Sequence, residues 1–168
     1  MRYVGEWLIK YFGWLACLIC IAVFQATWPN MLKIQDVSPN LLVLAVVYTA
    51  LVRGEVWAMI TAFLSGIYLD VLTNAVLGHH PLALVPMGFV VGRVAARLVT
   101  EHPAVKAGLV LLACLLFGML FLFIAFLQQP ATGVVRLFIV SAVPTAFYTA
   151  LITPFVFAVF GRFLKRTD

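Results

Sequence analysis

Charge is scarce in this sequence. Asp, Glu, Lys and Arg together make up 10% of its residues, where soluble domains carry about 25%. A water-facing surface cannot be covered with so little, and the 65% hydrophobic content places the chain among integral membrane proteins. Long polar linkers are missing too. At 168 residues there is room for one transmembrane domain, residues 1–168, and for no separate soluble one. Cysteine is rare: Cys17, Cys20 and Cys114 all lie in apolar runs. The Cys17-x-x-Cys20 spacing has no partner ligands near it and reads as two small helix-facing residues. No nucleophile–base–orienter set, phosphate-binding glycine loop or dense acidic cluster is present, which argues against an enzyme and leaves cofactors and metals without a site. Residues 11–28 are too long for the apolar core of a signal peptide, and no small-x-small cleavage site follows them.

What is present is a series of apolar runs. A bilayer core about 30 Å thick takes roughly 20 residues of helix. On that measure six spans are predicted, at about residues 11–28, 40–52, 56–72, 82–98, 107–127 and 135–160. The second is marked at its start by Ser38-Pro39-Asn40, with Ser38 as the expected cap and Pro39 in the first turn. At about 13 residues it is too short to cross upright, so it must thin the bilayer, re-enter or be shielded by protein. Pro144 and Pro154 are expected to kink the sixth.

The net charge of +5 sits at span ends, where it meets lipid headgroups and not nucleic acid. With the amino terminus in the cytoplasm, Arg2, Lys10, Arg53, Arg93, Arg97, Lys106, Arg162, Lys165 and Arg166 fall inside. Only Lys33 and Arg136 fall outside. Both termini are therefore expected in the cytoplasm. Trp7, Trp14 and Trp57 are then expected at the inner interface, with Trp28 and Tyr68 at the outer one.

Three stripes of small or hydroxyl residues recur at four-residue spacing, each along one helix face. Ala58, Ala62, Gly66 and Asp70 form the first; Gly88, Gly92 and Ala96 the second; Ser141, Thr145, Thr149 and Thr153 the third. Burial in lipid does not by itself join helices, so close backbone contact and hydrogen bonds must do it. The first two stripes suit an antiparallel hairpin, or alternatively a groove for a foreign helix. The hydroxyls can bond their own i−4 carbonyls or face a partner. A charged group inside a span is a functional candidate, which singles out Asp70. Placed near the outer end of its span, it is expected to reach headgroups, cap the next helix or meet His79 or His80 of the outer loop. Asn40, Asp70, His79 and His80 make an outer-face polar cluster, for which a hydrogen-bonded clasp is favoured over metal or proton chemistry. Arg93 lies too far along its span to bridge Asp70, so Arg93 and Arg97 are expected to snorkel to the cytoplasmic interface.

The run Ser38-Pro39-Asn40-Leu41-Leu42 through Tyr48, then Arg53-Gly54, Gly66 to Asp70, Leu77-Gly78-His79 and Gly88 to Arg93, resembles the MreD family of rod shape-determining proteins over essentially the whole chain. The family's Pro-Asp-Leu-Leu opening stands here as Pro39-Asn40-Leu41-Leu42, without the carboxylate. The resemblance implies an all-α, compact six-helix bundle like the substrate-binding components of energy-coupling-factor transporters. It implies a non-catalytic scaffold of the cell-elongation complex in the bacterial inner membrane, supporting peptidoglycan synthesis and rod shape. Its implied partners are MreC, and beyond it RodA with its transpeptidase, RodZ and MreB, with the choice between monomer and homodimer open. The competing reading is the small-molecule-binding part of a vitamin uptake transporter.

Overall fold

The computed structural model describes residues 14–16, 18–25, 27, 39–74, 77–98, 102–128, 136 and 138–164, with backbone alone at 128, 138, 141 and 159–164. The expectations attached to Arg2, Trp7, Lys10, Cys17, Trp28, Lys33, Ser38, Lys165 and Arg166, and to the side chains of Ser141 and Arg162, lie outside that description. All regular structure among the described residues is helical: α1 Trp14–Gln25, α2 Leu41–Arg53, α3 Glu55–Thr73, α4 His79–Ala95, α5 Pro103–Gln128, and α6 Val143–Leu164, the last entered through a π turn at Phe138–Ala142. Two helices, α3 and α5, are long and apolar enough to cross a membrane.

The short helix is the centre. α2 packs on α3, α4, α5 and α6, and Leu42 also meets Leu18 and Ala22 of α1. Every residue from Leu41 to Val47 is buried, whatever its face. A helix encased on all sides needs no amphipathic stripe, and protein surrounds it where a free short helix would have to distort the bilayer. Its start is capped by Asn40, whose Oδ1 accepts the Val43 N–H at 3.1 Å. The cap therefore sits at residue 40, two positions beyond the Ser38 read from the sequence, and Pro39 precedes the helix.

α2 passes into α3 through Gly54 alone, at φ 88° and ψ −175°, a backbone region essentially reserved for glycine. The α3–α4 hairpin is closed by two left-handed residues, Asn74 at φ 50° and Gly78 at φ 101°. α4 starts at His79, three residues before the predicted span. Pro81 falls in its first turn, where the missing N–H has no intrahelical partner to lose.

The interior is mostly apolar with a few buried polar groups, and the exterior is apolar as well. Thr49, Thr61, Ser65, Asp70, His80, Thr149 and Thr153 are buried, while Val56, Phe63, Phe123, Phe147, Leu151 and Phe155 are exposed. Water would penalise such an exterior; lipid would not. α3 and α4 pack most extensively, and α5 lies against α6. Together with α2 they form one core running from Val43 through Leu84, Met87, Val91 and Val110 to Ala146.

Candidate functional site

The hairpin stripes meet each other. A Cβ added at Gly66 would lie 2.5 Å from the backbone of Pro81, and one at Gly92 would lie 2.5 Å from Glu55 Cα. At Gly88 the nearest atom, Ala58 O, would be 3.1 Å away, with the Ala62 Cβ at 3.3 Å. Each step up α3 is matched by a step down α4, so the backbones touch along the pair, as small residues permit. Ala96 falls outside this contact: it is the exposed residue that ends α4. The GxxxG face, Gly88 and Gly92, is thus filled by α3 of the same chain.

Asp70 ties the turn end of this hairpin. Its Oδ2 accepts the Gly78 N–H at 2.6 Å. Its Oδ1 accepts the His80 N–H at 3.0 Å and lies 2.6 Å from His80 Nδ1. A carboxylate only accepts, so Nδ1 carries the shared proton. Gly78 is the N-cap of α4, and the carboxylate meets free N–H groups at the positive end of that helix. Asp70 is 1% exposed; it caps the next helix and does not reach headgroups. His79 and His80 belong to the first turn of α4, not to the loop. Their rings pack on Phe121 of α5, at 4.6 and 4.9 Å between centroids. The clasp joins α3, α4 and α5. Chemically it is a carboxylate accepting from three N–H groups, and it holds α3 and α4 in register.

A second polar knot closes the buried start of α2. Gln25 Oε1 accepts the Leu41 N–H at 2.9 Å, and Gln25 Nε2 donates to Pro39 O at 3.1 Å. The Asn40 N–H donates to Thr149 Oγ1 at 3.0 Å. The hydroxyl stripe also bonds its own helix: Thr149 donates to Thr145 O and Thr153 to Thr149 O. Thr149 and Thr153 are fully buried, and Thr145 is half-buried. Asn40 therefore belongs to this knot and not to the Asp70–His80 clasp. Sequence reading passed over Gln25, although a lone amide in an apolar run signals a bond that lipid cannot offer.

At the opposite end, Arg93 Nη1 lies 3.5 Å from Glu55 Oε2, both partly exposed. Arg53 sits over Trp57, 5.2 Å from the ring centroid, and 6.0 Å from that of Trp14. Arg93 does not meet Asp70, and Arg97 is exposed. Tyr68 is not a surface anchor: its hydroxyl donates to Ala22 O at 2.9 Å, tying α3 to α1. Glu55 carried no weight in the sequence reading, because its partner lies 38 residues away and no local pattern links them.

Comparison with known proteins returns one finding. The family model described as rod shape-determining protein MreD matches residues 1–166. No curated protein and no solved structure gives a match.

Proposed function

From the premise that this chain belongs to the MreD family of rod shape-determining membrane proteins, we propose that it is a non-catalytic scaffold of the cell-elongation complex in the bacterial inner membrane. In this reading it binds MreC, and through MreC it supports the RodA–transpeptidase pair that builds peptidoglycan, beside RodZ and MreB. All six helices are taken as spans with both termini in the cytoplasm. The observation that supports a scaffold best is where the polar groups go. Asp70, His80, Gln25, Asn40 and Thr149 bond other parts of the same chain, so among the described residues these groups stiffen the fold and do not converge on a substrate.

The docking face is then sought among exposed side chains and not among the small-residue stripes. Gly92→Leu and Thr149→Leu, natural tests when those stripes are read as a groove, would drive bulk into Glu55 and into the buried knot and so test folding. Single cysteines at Phe89 and Val90 of α4, and at Phe147, Leu151 and Phe155 of α6, are exposed on the apolar exterior. Crosslinking from them in native membranes is expected to trap MreC from one helix face. Adducts with MreC from none of a set covering every exposed helix face would overturn the scaffold reading. Adducts confined to a second copy of the chain would show a homodimer in place of the partner.

Nothing observed favours the vitamin-uptake alternative. Asp70 and His80 are occupied with each other, and the likeness to energy-coupling-factor components is not needed for the scaffold reading.

A further inference from the structure

A cleft of about 210 Å³ lies between the first turns of α5 and the middle of α6, lined by Pro103, Lys106, Thr153, Pro154, Phe157 and Ala158. We propose that it seats an anionic phospholipid, with Lys106 at the phosphate and the wall of Pro154, Phe157 and Ala158 against the upper acyl chain.

Proline has no N–H, so Pro154 leaves the Ala150 carbonyl without its usual donor and interrupts packing along α6. The cleft opens beside that break. Its wall is apolar, with the buried Thr153 hydroxyl turned to its own helix at Thr149 O. Lys106 is half-buried there, its ammonium 6.0 Å from the Phe157 ring centroid. Among the described residues the two carboxylates are engaged elsewhere: Glu55 with Arg93 and Asp70 with His80. Lys106 therefore places a positive charge at an apolar cleft with no carboxylate of the described residues beside it. A half-buried ammonium at the mouth of such a cleft is a seat for an anionic headgroup.

The occupant is a lipid for two reasons. Sites for soluble small molecules run to about 300–1,000 Å³, more than this cleft encloses, so its occupant is held only in part. The cleft also faces an exterior made of exposed Leu, Phe and Val, a surface that presents acyl chains and headgroups to it. Lys106 stands one turn from the start of α5, at the depth where a lysine reaches lipid phosphates. The inference requires neither the partner assigned above nor its orientation.

The full chain, purified and exchanged between phosphatidylglycerol and phosphatidylcholine, is to be weighed by native mass spectrometry. Wild type is expected to retain phosphatidylglycerol with about fivefold preference, the weight of one lysine near a membrane surface. Lys106→Gln should abolish the preference and Lys106→Arg should keep it. Ala158→Phe, which fills the cleft while leaving the charge, should lose bound lipid. Arg97→Gln, an exposed charge that does not line the cleft, should change nothing. The proposal is overturned by the absence of preference in wild type, or by an equal loss in Arg97→Gln, which would mean diffuse surface charge. Displacement by millimolar inorganic phosphate would also overturn it, by making the site one for a soluble anion. Elution as a monodisperse peak confirms that each variant has folded before weighing.

Discussion

Glycine does two different jobs in this chain, and alanine separates them. At Gly54 an added Cβ would meet nothing within 4 Å, so the cost of Gly54→Ala is purely the backbone's, about 1–3 kcal/mol for a side chain in that region. At Gly66 the backbone is ordinary, but the Cβ would lie 2.5 Å from Pro81 backbone atoms. The helices must part, at a cost at or above the usual 1–3 kcal/mol or so of overpacking. Gly88→Ala meets its nearest neighbour at 3.1 Å and should be the mildest. Thermal unfolding in detergent should rank Gly66→Ala well below wild type and Gly88→Ala close to it. The clasp gives a second residue-scale expectation. Asp70→Ala strips the acceptor from two backbone N–H groups and the His80 ring, and should lower stability by about 3–5 kcal/mol, the range for removing one partner of a buried pair. Asp70→Asn retains one oxygen and should lose clearly less. Equal losses would mean that the carboxylate is not what holds the hairpin. For the cap, Asn40→Ala should cost about 1 kcal/mol, while Asn40→Asp keeps the accepting oxygen and most of the stability. The family's carboxylate at this position is then replaceable in its capping role.

At the scale of the element, α2 is where sequence and structure part most usefully. Its length was legible because Arg53-Gly54 stops it on one side and Pro39-Asn40 on the other. Its situation was not. The same 13 apolar residues would suit a re-entrant hairpin or a thinned bilayer, and only contacts with α1, α3, α4, α5 and α6 show that protein encases them. Those contacts come from residues up to 109 positions away, as the Asn40–Thr149 bond shows. The start of α4 was misread for the same reason. His79-His80-Pro81 has loop composition, and the carboxylate that turns it into a helix start sits on the previous helix. The hairpin stripes, by contrast, were legible as packing faces, because four-residue spacing of small side chains is local information. What spacing could not tell was whether the face was filled from within. The encased α2 makes a measurable claim. Amide exchange of the chain in nanodiscs should leave Val43 to Ala50 among the slowest amides, slower than the exposed ends of α3 and α4, since opening there requires the surrounding helices to separate. Fast exchange over α2 would mean that its apparent burial is transient.

The whole molecule has an apolar exterior around a mostly apolar core, and it is the placement of its few charges that limits how it can sit in a membrane. Among the described residues the arginine and lysine contacts gather at one end. Arg53 stacks over Trp57 and Trp14, Arg93 faces Glu55, and Lys106 lies against Phe157. The Asp70–His80 clasp lies at the other end of the same hairpin, and there the described residues contribute only Arg136 to the basic side. Long loops can cross a membrane regardless of charge, but the connections here are short, and short loops are where Lys and Arg govern orientation. The Arg-rich end should therefore face the cytoplasm. Reporter fusions in the 98–102 connection should read as cytoplasmic, and those in the 74–78 turn as external. The charges should also be causal. Replacing Arg53, Arg93, Arg97 and Lys106 together by glutamine removes four cations from one end, and should leave a mixed population in which some molecules report the reverse sidedness. Replacing Arg136 alone should leave the wild-type pattern intact. A uniform orientation in the fourfold variant would place control with the other basic residues expected on the cytoplasmic side, Arg2, Lys10, Arg162, Lys165 and Arg166. A wild-type 74–78 reporter on the cytoplasmic side would overturn the orientation altogether.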